Sequence, residues 1–161
     1  MIQPTTDLLL HREEAFRIQG AIFEVNRAMG RGFLEAVYQE CLAMEFSARR
    51  IPFRAQPTLR LAYKGTPLRQ AYAPDFVCFE AIIVELKVAR AIAPEHRAQL
   101  LNYLRATGLD LGLLVNFGAV PRATVERLVL QDEEPRTNAK ERERVREASA
   151  LGESPSGPDR S

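Results

Sequence analysis

Ala81-Ile82-Ile83-Val84-Glu85-Leu86-Lys87-Val88-Ala89 is an aliphatic run interrupted only at positions 85 and 87. Its β-branched content reads as a strand. Side chains alternate across a strand, so Glu85 and Lys87, at i and i+2, point to one face. A carboxylate and an ammonium are costly on a half-buried strand unless they pair or bind something. From this segment alone two readings stand: a cross-strand ion pair on a solvated face, or a site.

Working outward, Asp75 follows Pro74 in the run Leu68 to Cys78, which reads as the preceding strand, and it lies an even number of positions before Glu85. If the hairpin closes through an odd loop such as Phe79-Glu80-Ala81, Asp75 falls opposite Glu85 with Cβ atoms roughly 5 Å apart. A two-residue turn would place them on opposite faces. Two carboxylates that close repel, and one is driven to take up a proton unless a cation sits between them. A hard divalent ion, Mg²⁺ or Mn²⁺, suits such an all-oxygen setting.

The flanking sequence reads as a mixed α/β domain. Ile18, Ile22, Val25 and Met29 recur at amphipathic-helix spacing, with Gly30 as the C-terminal cap, and a second helix is expected from Phe33 to Arg49. Pro52 and Pro57 end the helical pattern. The runs Leu59 to Tyr63, Leu68 to Cys78 and Ile82 to Val88, divided by Lys64-Gly65 and Glu80-Ala81, read as an antiparallel meander. Pro94 to Thr107 reads as a helix closed by Gly108, followed by the apolar run Leu111 to Val115 and a last run Leu128 to Leu130. The order ααβββαβ, with a closing strand, predicts a mixed sheet with helices packed on it, because a strand such as LGLLV needs cover on both faces.

With 161 residues, 46% of them hydrophobic, the chain supports one compact core, placed at residues 1–130. From Gln131 to Ser161 the sequence turns to charge, Ser, Pro and Gly, the composition of a disordered tail, with a transient helix over Lys140 to Ala150. A net charge of +1 excludes the global field of a polybasic protein, so any nucleic-acid contact must come from a local patch. Arg49, Arg50, Arg54, Arg60, Arg97 and Arg105 are candidates, although scattered arginines commonly form only a solvated face. Cys41 and Cys78 have neither C-x-x-C spacing nor a histidine cluster and read as reduced core cysteines. No apolar stretch nears the roughly 20 residues that span a bilayer. The expectation is a soluble cytoplasmic protein without membrane contact.

Pro74-Asp75, a gap, then Glu85-Leu86-Lys87 resembles the PD-(D/E)XK motif of restriction-endonuclease-like nucleases. Gly32-Phe33-Leu34-Glu35-Ala36-Val37-Tyr38 resembles the signature of the GxxExxY family, small proteins assigned to that nuclease fold. The VELK strand, His96-x-x-Gln99-x-x-x-Tyr103 and Gly112-Leu113-Leu114-Val115-Asn116-Phe117-Gly118 are similar to the same family, so the likeness spans about residues 12–130. Asn26 and Arg31 depart from it, where His and Pro are common; neither is a proposed ligand.

The resemblance implies a restriction-endonuclease-like core and a metal held by Asp75, Glu85, the backbone carbonyl of Leu86 and Glu35. Lys87 and Gln99 complete the implied site. Gly32, Glu35 and Tyr38, at i, i+3 and i+6, are expected on one helical face, with the glycine allowing close approach to the sheet. Taken singly, Glu35 and Gln99 also suit exposed helix surface and Tyr38 the core. His96, at a helix start, is not expected to be catalytic. The expected activity is Mg²⁺- or Mn²⁺-dependent hydrolysis of phosphodiester bonds in DNA or RNA. The rivals are a catalytically silent module that binds nucleic acid or protein, and another phosphate-handling hydrolase. Oligomeric state is not legible.

Overall fold

The structure is a computed structural model that describes residues 10–130; the charged tail expected over 131–161 lies outside the described residues. Helix α1, Arg12–Met29, buries Ala15, Ile18, Ala21, Ile22 and Val25, and the Gly30 N–H closes its last turn on the Asn26 carbonyl. Helix α2, Glu35–Ala48, is shorter than the expected Phe33 to Arg49 and buries Tyr38, Leu42 and Phe46 at i, i+4, i+8.

Strands β1 (Phe53–Ala55), β2 (Leu59–Tyr63), β3 (Thr66–Tyr72), β4 (Phe76–Cys78) and β5 (Ile82–Lys87) follow, then helix α3 (Pro94–Thr107), β6 (Leu111–Asn116) and β7 (Thr124–Leu128). The main sheet has the order β1-β4-β5-β6-β7, while β2 and β3 form a separate two-stranded ribbon. Strands β5 and β6 run parallel, joined by the α3 crossover, and the other pairs are antiparallel. This is the expected mixed sheet flanked by helices.

Three details correct the sequence expectation. The run Leu68 to Cys78 is two strands in two sheets, not one, because the chain leaves the ribbon at Ala73-Pro74-Asp75 and enters the main sheet at Phe76. Proline cannot donate to a ladder, so the break falls where pairing would otherwise continue. The meander is therefore interrupted, and the edge beside β4 is filled by β1, a strand too short to stand out between its flanking prolines. The closing strand begins at Thr124 instead of Leu128.

Alternation along the strands gives the sheet two apolar faces. Phe76, Cys78, Ile82, Val84, Leu86, Leu111, Leu113 and Val115 pack with α1 and α2. Val77, Ile83 and Leu114 pack with Leu100 and Leu104 of α3 and with Leu59 and Tyr72 of the ribbon. Every residue of β6 is buried, which explains its unbroken apolar sequence. Among the described residues no helix is long and apolar enough to cross a membrane.

Candidate active site

Cys78 pairs with Ile82, Val77 with Ile83 and Phe76 with Val84, leaving the odd loop Phe79-Glu80-Ala81 between the strands. Continuing that register by one position sets Asp75 against Glu85. Asp75 lies just before β4, not within a strand, where the β4–β5 ladder has ended. Its carboxylate replaces the missing strand partner: Oδ2 accepts the Leu86 N–H at 2.8 Å. Its own carbonyl accepts the Gln56 N–H at 2.9 Å. Asp75 is thus held from both sides.

Glu85 and Lys87 have the same parity as Ile83 and so face α3 and the ribbon, at the C-terminal end of β5. Tyr72, the last residue of β3, donates its hydroxyl to Oε1 of Glu85. The Tyr72 ring stacks on Tyr103 of α3, with centroids 3.5 Å apart and planes within 3°. Ribbon and helix therefore meet over the carboxylate. Sequence reading assigns no role to this tyrosine pair; its only signal is an aromatic at the end of a strand three residues before Asp75.

The electrostatics single out the same groups. Burial pushes the Glu85 carboxyl up to about 7, the Tyr72 hydrogen bond and Lys87 oppose that rise, and the Asp75 charge adds to it. Burial likewise raises Asp75, against the pull of the Leu86 N–H and Lys87. Tyr72 is pushed far up, first by burial and then by the Glu85 charge, so it remains a donor. Glu35, on the exposed first turn of α2, is raised by partial loss of water and then by the Asp75 charge, while Lys87 and His96 lower it. Each carboxyl is penalised for ionising, a penalty that a cation relieves.

Glu35 is positioned by Tyr38. The Tyr38 side chain is fully buried, stacks on Phe117 at 4.4 Å, donates its hydroxyl to the Gly30 carbonyl at 2.7 Å and accepts the Phe33 N–H at 3.3 Å. That pins the turn that starts α2. Gly32 does not share a helical face with Glu35: it precedes the helix, exposed, at φ +108°, with nothing near its Cβ position. The glycine serves backbone conformation there, not close approach to the sheet.

Gln99 lies exposed on α3 in a shallow depression with Glu95, His96, Asn102 and Tyr103, and makes no hydrogen bond to Asp75, Glu85 or Lys87. The His96 ring folds back so that Nδ1 accepts the Ala93 N–H at 3.1 Å, a helix-capping role. Beyond Lys87 the chain is anchored by buried Asn116. Its amide accepts the Ala89 and Gly118 N–H groups and donates to the Ala89 carbonyl at 2.8 Å. A Cβ on Gly118 would stand 2.6 Å from the Ala89 N and O, so only glycine permits this closure.

Among the described residues no group of three or more His, Cys, Asp or Glu side chains is gathered to hold a metal. The donor chemistry that is present, two opposed carboxylates with the Leu86 carbonyl between Glu85 and Lys87, fits a hard cation of the Mg²⁺ kind. Such an ion is commonly bound by only one or two protein carboxylates, with water and substrate phosphate filling the other positions.

A mixed sheet flanked by helices, with paired carboxylates and a lysine at its centre, defines the restriction-endonuclease-like fold. A family model described as the PD-(D/E)XK nuclease superfamily matches residues 12–128, from the first residue of α1 to the last of β7. The chain belongs to that superfamily. No curated protein matches it. Among solved structures it is similar to SSO0001, with 13% identity and a TM-score of 0.38 over 85% of this chain and 84% of that one. It is also similar to an alkaline exonuclease (LHK-Exo) from Laribacter hongkongensis, with 12% identity and a TM-score of 0.44 over 94% of this chain and 81% of that one.

Proposed function

We propose that this protein is a Mg²⁺- or Mn²⁺-dependent nuclease of the GxxExxY kind that hydrolyses phosphodiester bonds in DNA or RNA. The observation that carries this reading is the opposition of Asp75 and Glu85, both raised in pKa, with Lys87 on the same face. The Gly32-x-x-Glu35-x-x-Tyr38 motif supports the finer family, since Tyr38 pins the turn that presents Glu35.

Asp75, Glu85 and the Leu86 carbonyl would hold the ion, with Glu35 contributing through water. Such an ion supplies charge stabilisation at the scissile phosphate. Lys87 places a positive charge where negative charge accumulates on phosphorus and orients the attacking water. Tyr72 favours the ionised form of the Glu85 carboxylate, against the effect of burial, and fixes its orientation. Gln99, on the exposed flank of α3, would meet substrate instead of the ion. A cytoplasmic location belongs to the same reading, with Cys41 and Cys78 as unbonded thiols.

The test is cleavage of single-stranded, duplex and structured DNA and RNA with Mg²⁺ or Mn²⁺, comparing wild type with Asp75→Asn, Glu85→Gln and Lys87→Ala. Each variant is expected to lose at least about a hundredfold in rate. Variants that cut as well as wild type would dismiss the site, and a wild type that binds substrate without cutting would mark a silent binding module.

A further inference from the structure

Residues 46–74 contain Arg49, Arg50, Arg54, Arg60, Lys64 and Arg69, while all 21 acidic residues of the chain lie elsewhere. The structure sorts these cations into two groups. Arg49 is paired with Glu45 and Arg54 with Glu80, and Arg50, exposed like the ribbon cations, lies off the ribbon between α2 and β1. Arg60, Lys64 and Arg69 all stand exposed on the β2–β3 ribbon, and none has an acidic partner among the described residues.

The ribbon is built to present them. Its base, Leu59 opposite Tyr72, is buried against the sheet and α3, whereas the rest of both strands is largely exposed. Lys64 and Gly65 both have positive φ, forming the tight two-residue turn at the tip. Arg60 pairs opposite the small Ala71, and Arg69 lies on the facing strand where the register shifts between Arg60 and Ala62, both with exposed side chains. Tyr63, 62% exposed at the tip, lies under the Lys64 ammonium. Seven strand residues at about 3.3 Å each give the arm a reach of roughly 20 Å. Its return strand ends three residues before Asp75.

We propose that the β2–β3 ribbon is the substrate-binding arm of the site, gripping the phosphate backbone of a nucleic-acid strand through Arg60, Lys64 and Arg69 without reading its sequence. This rests on the nuclease reading for the position of the scissile bond, but the grip itself is independent of turnover. A group of cations without acids complements a polyanion and repels none of it, whereas a protein partner would call for the interleaved signs that this ribbon lacks.

The experiment is binding of labelled single-stranded and duplex oligonucleotides to the full chain in EDTA, so that no cleavage intervenes, across about 50 to 200 mM salt. The triple variant Arg60→Gln/Lys64→Gln/Arg69→Gln is expected to weaken binding at least about tenfold. On duplex it should also flatten the slope of log K against log salt by about 2 to 3, at about 0.9 for each phosphate that is no longer neutralised. The ion-paired Arg27→Gln/Arg49→Gln variant serves as control and should leave the slope unchanged. Lys64→Gln alone, at the tip, covers the case of a triple variant that melts early, with a slope change of about 1. Unchanged affinity and slope in the triple variant, or a wild type that binds no nucleic acid, overturns the arm. Cleavage by a triple variant with undiminished binding sinks the arm and leaves the nuclease standing. Binding abolished in the triple variant of a protein that never cuts supports the arm and sinks the nuclease.

Discussion

The Tyr72 hydroxyl donates a hydrogen bond to Oε1 of Glu85, joining the end of the ribbon to the centre of the main sheet. That bond favours the ionised carboxylate in a place where burial disfavours it. Tyr72→Phe keeps the stack on Tyr103 and removes only the donor. Its expected effect is an upward move of the Glu85 midpoint from about 7 and a drop of about tenfold in Mg²⁺ affinity at neutral pH. Calorimetric titration across pH checks it; identical isotherms for the two proteins would rule out the clamp.

Asp75 has two duties that different substitutions separate. Asp75→Asn keeps an oxygen acceptor for the Leu86 N–H and should fold normally while losing the metal isotherm. Asp75→Leu leaves that N–H unpaired and should cost about 1–3 kcal/mol in addition, read from denaturant midpoints. Equal stability of the two variants would show that the Leu86 bond contributes nothing.

Without metal, Glu85 makes the fold less stable as pH rises. Its folded pKa, about 7, lies above the ordinary value of 4.5, so the native state holds this proton more tightly than the unfolded chain. The group's contribution is fully present below about 4.5 and is lost as pH climbs through about 7. The loss is on the order of 3 kcal/mol, at about 1.4 kcal/mol for each pH unit between the two values. Glu85→Gln should remove this dependence and be the more stable protein at pH 8. A wild type as stable at pH 8 as at pH 5, in EDTA, contradicts the assignment once other groups are matched by the variant.

Gly118→Ala drives a methyl into the Ala89 backbone, 2.6 Å from both N and O. The strain should cost about 1–3 kcal/mol and lower Tm by several degrees. Because the Phe117 N–H is bonded to the Lys87 carbonyl, the displacement should also reduce cleavage beyond what the fall in stability explains. Thermal melts and rates measured well below Tm separate the two effects; wild-type values in both would refute the close approach.

Much of the fold is legible in the sequence because it is periodic or local. The i, i+4, i+7 spacing of Ile18, Ile22 and Val25 marks α1, the apolar run Leu111 to Val115 marks a doubly covered strand, and alternation puts Glu85 and Lys87 on one face. Local reading fails across a change of partner. The apolar run Leu68 to Cys78 looks continuous, but one half pairs with β2 and the other with β1 and β5. Spacing alone puts Gly32 on a helical face, although it lies outside the helix.

The sequence by itself determined the chemistry: which carboxylates exist, that Glu85 and Lys87 share a face, and that an odd loop would oppose Asp75 to Glu85. Those are matters of backbone period and residue type, and they need no partner. Only the tertiary structure decided that the loop is Phe79-Glu80-Ala81, that the Asp75 carboxylate takes the Leu86 N–H beyond the end of the β4–β5 ladder, and that Tyr72 and Tyr103 meet over Glu85. Those contacts join segments that are distant in the chain, and their geometry is set by how the sheet, ribbon and α3 pack, which no single segment's pattern encodes.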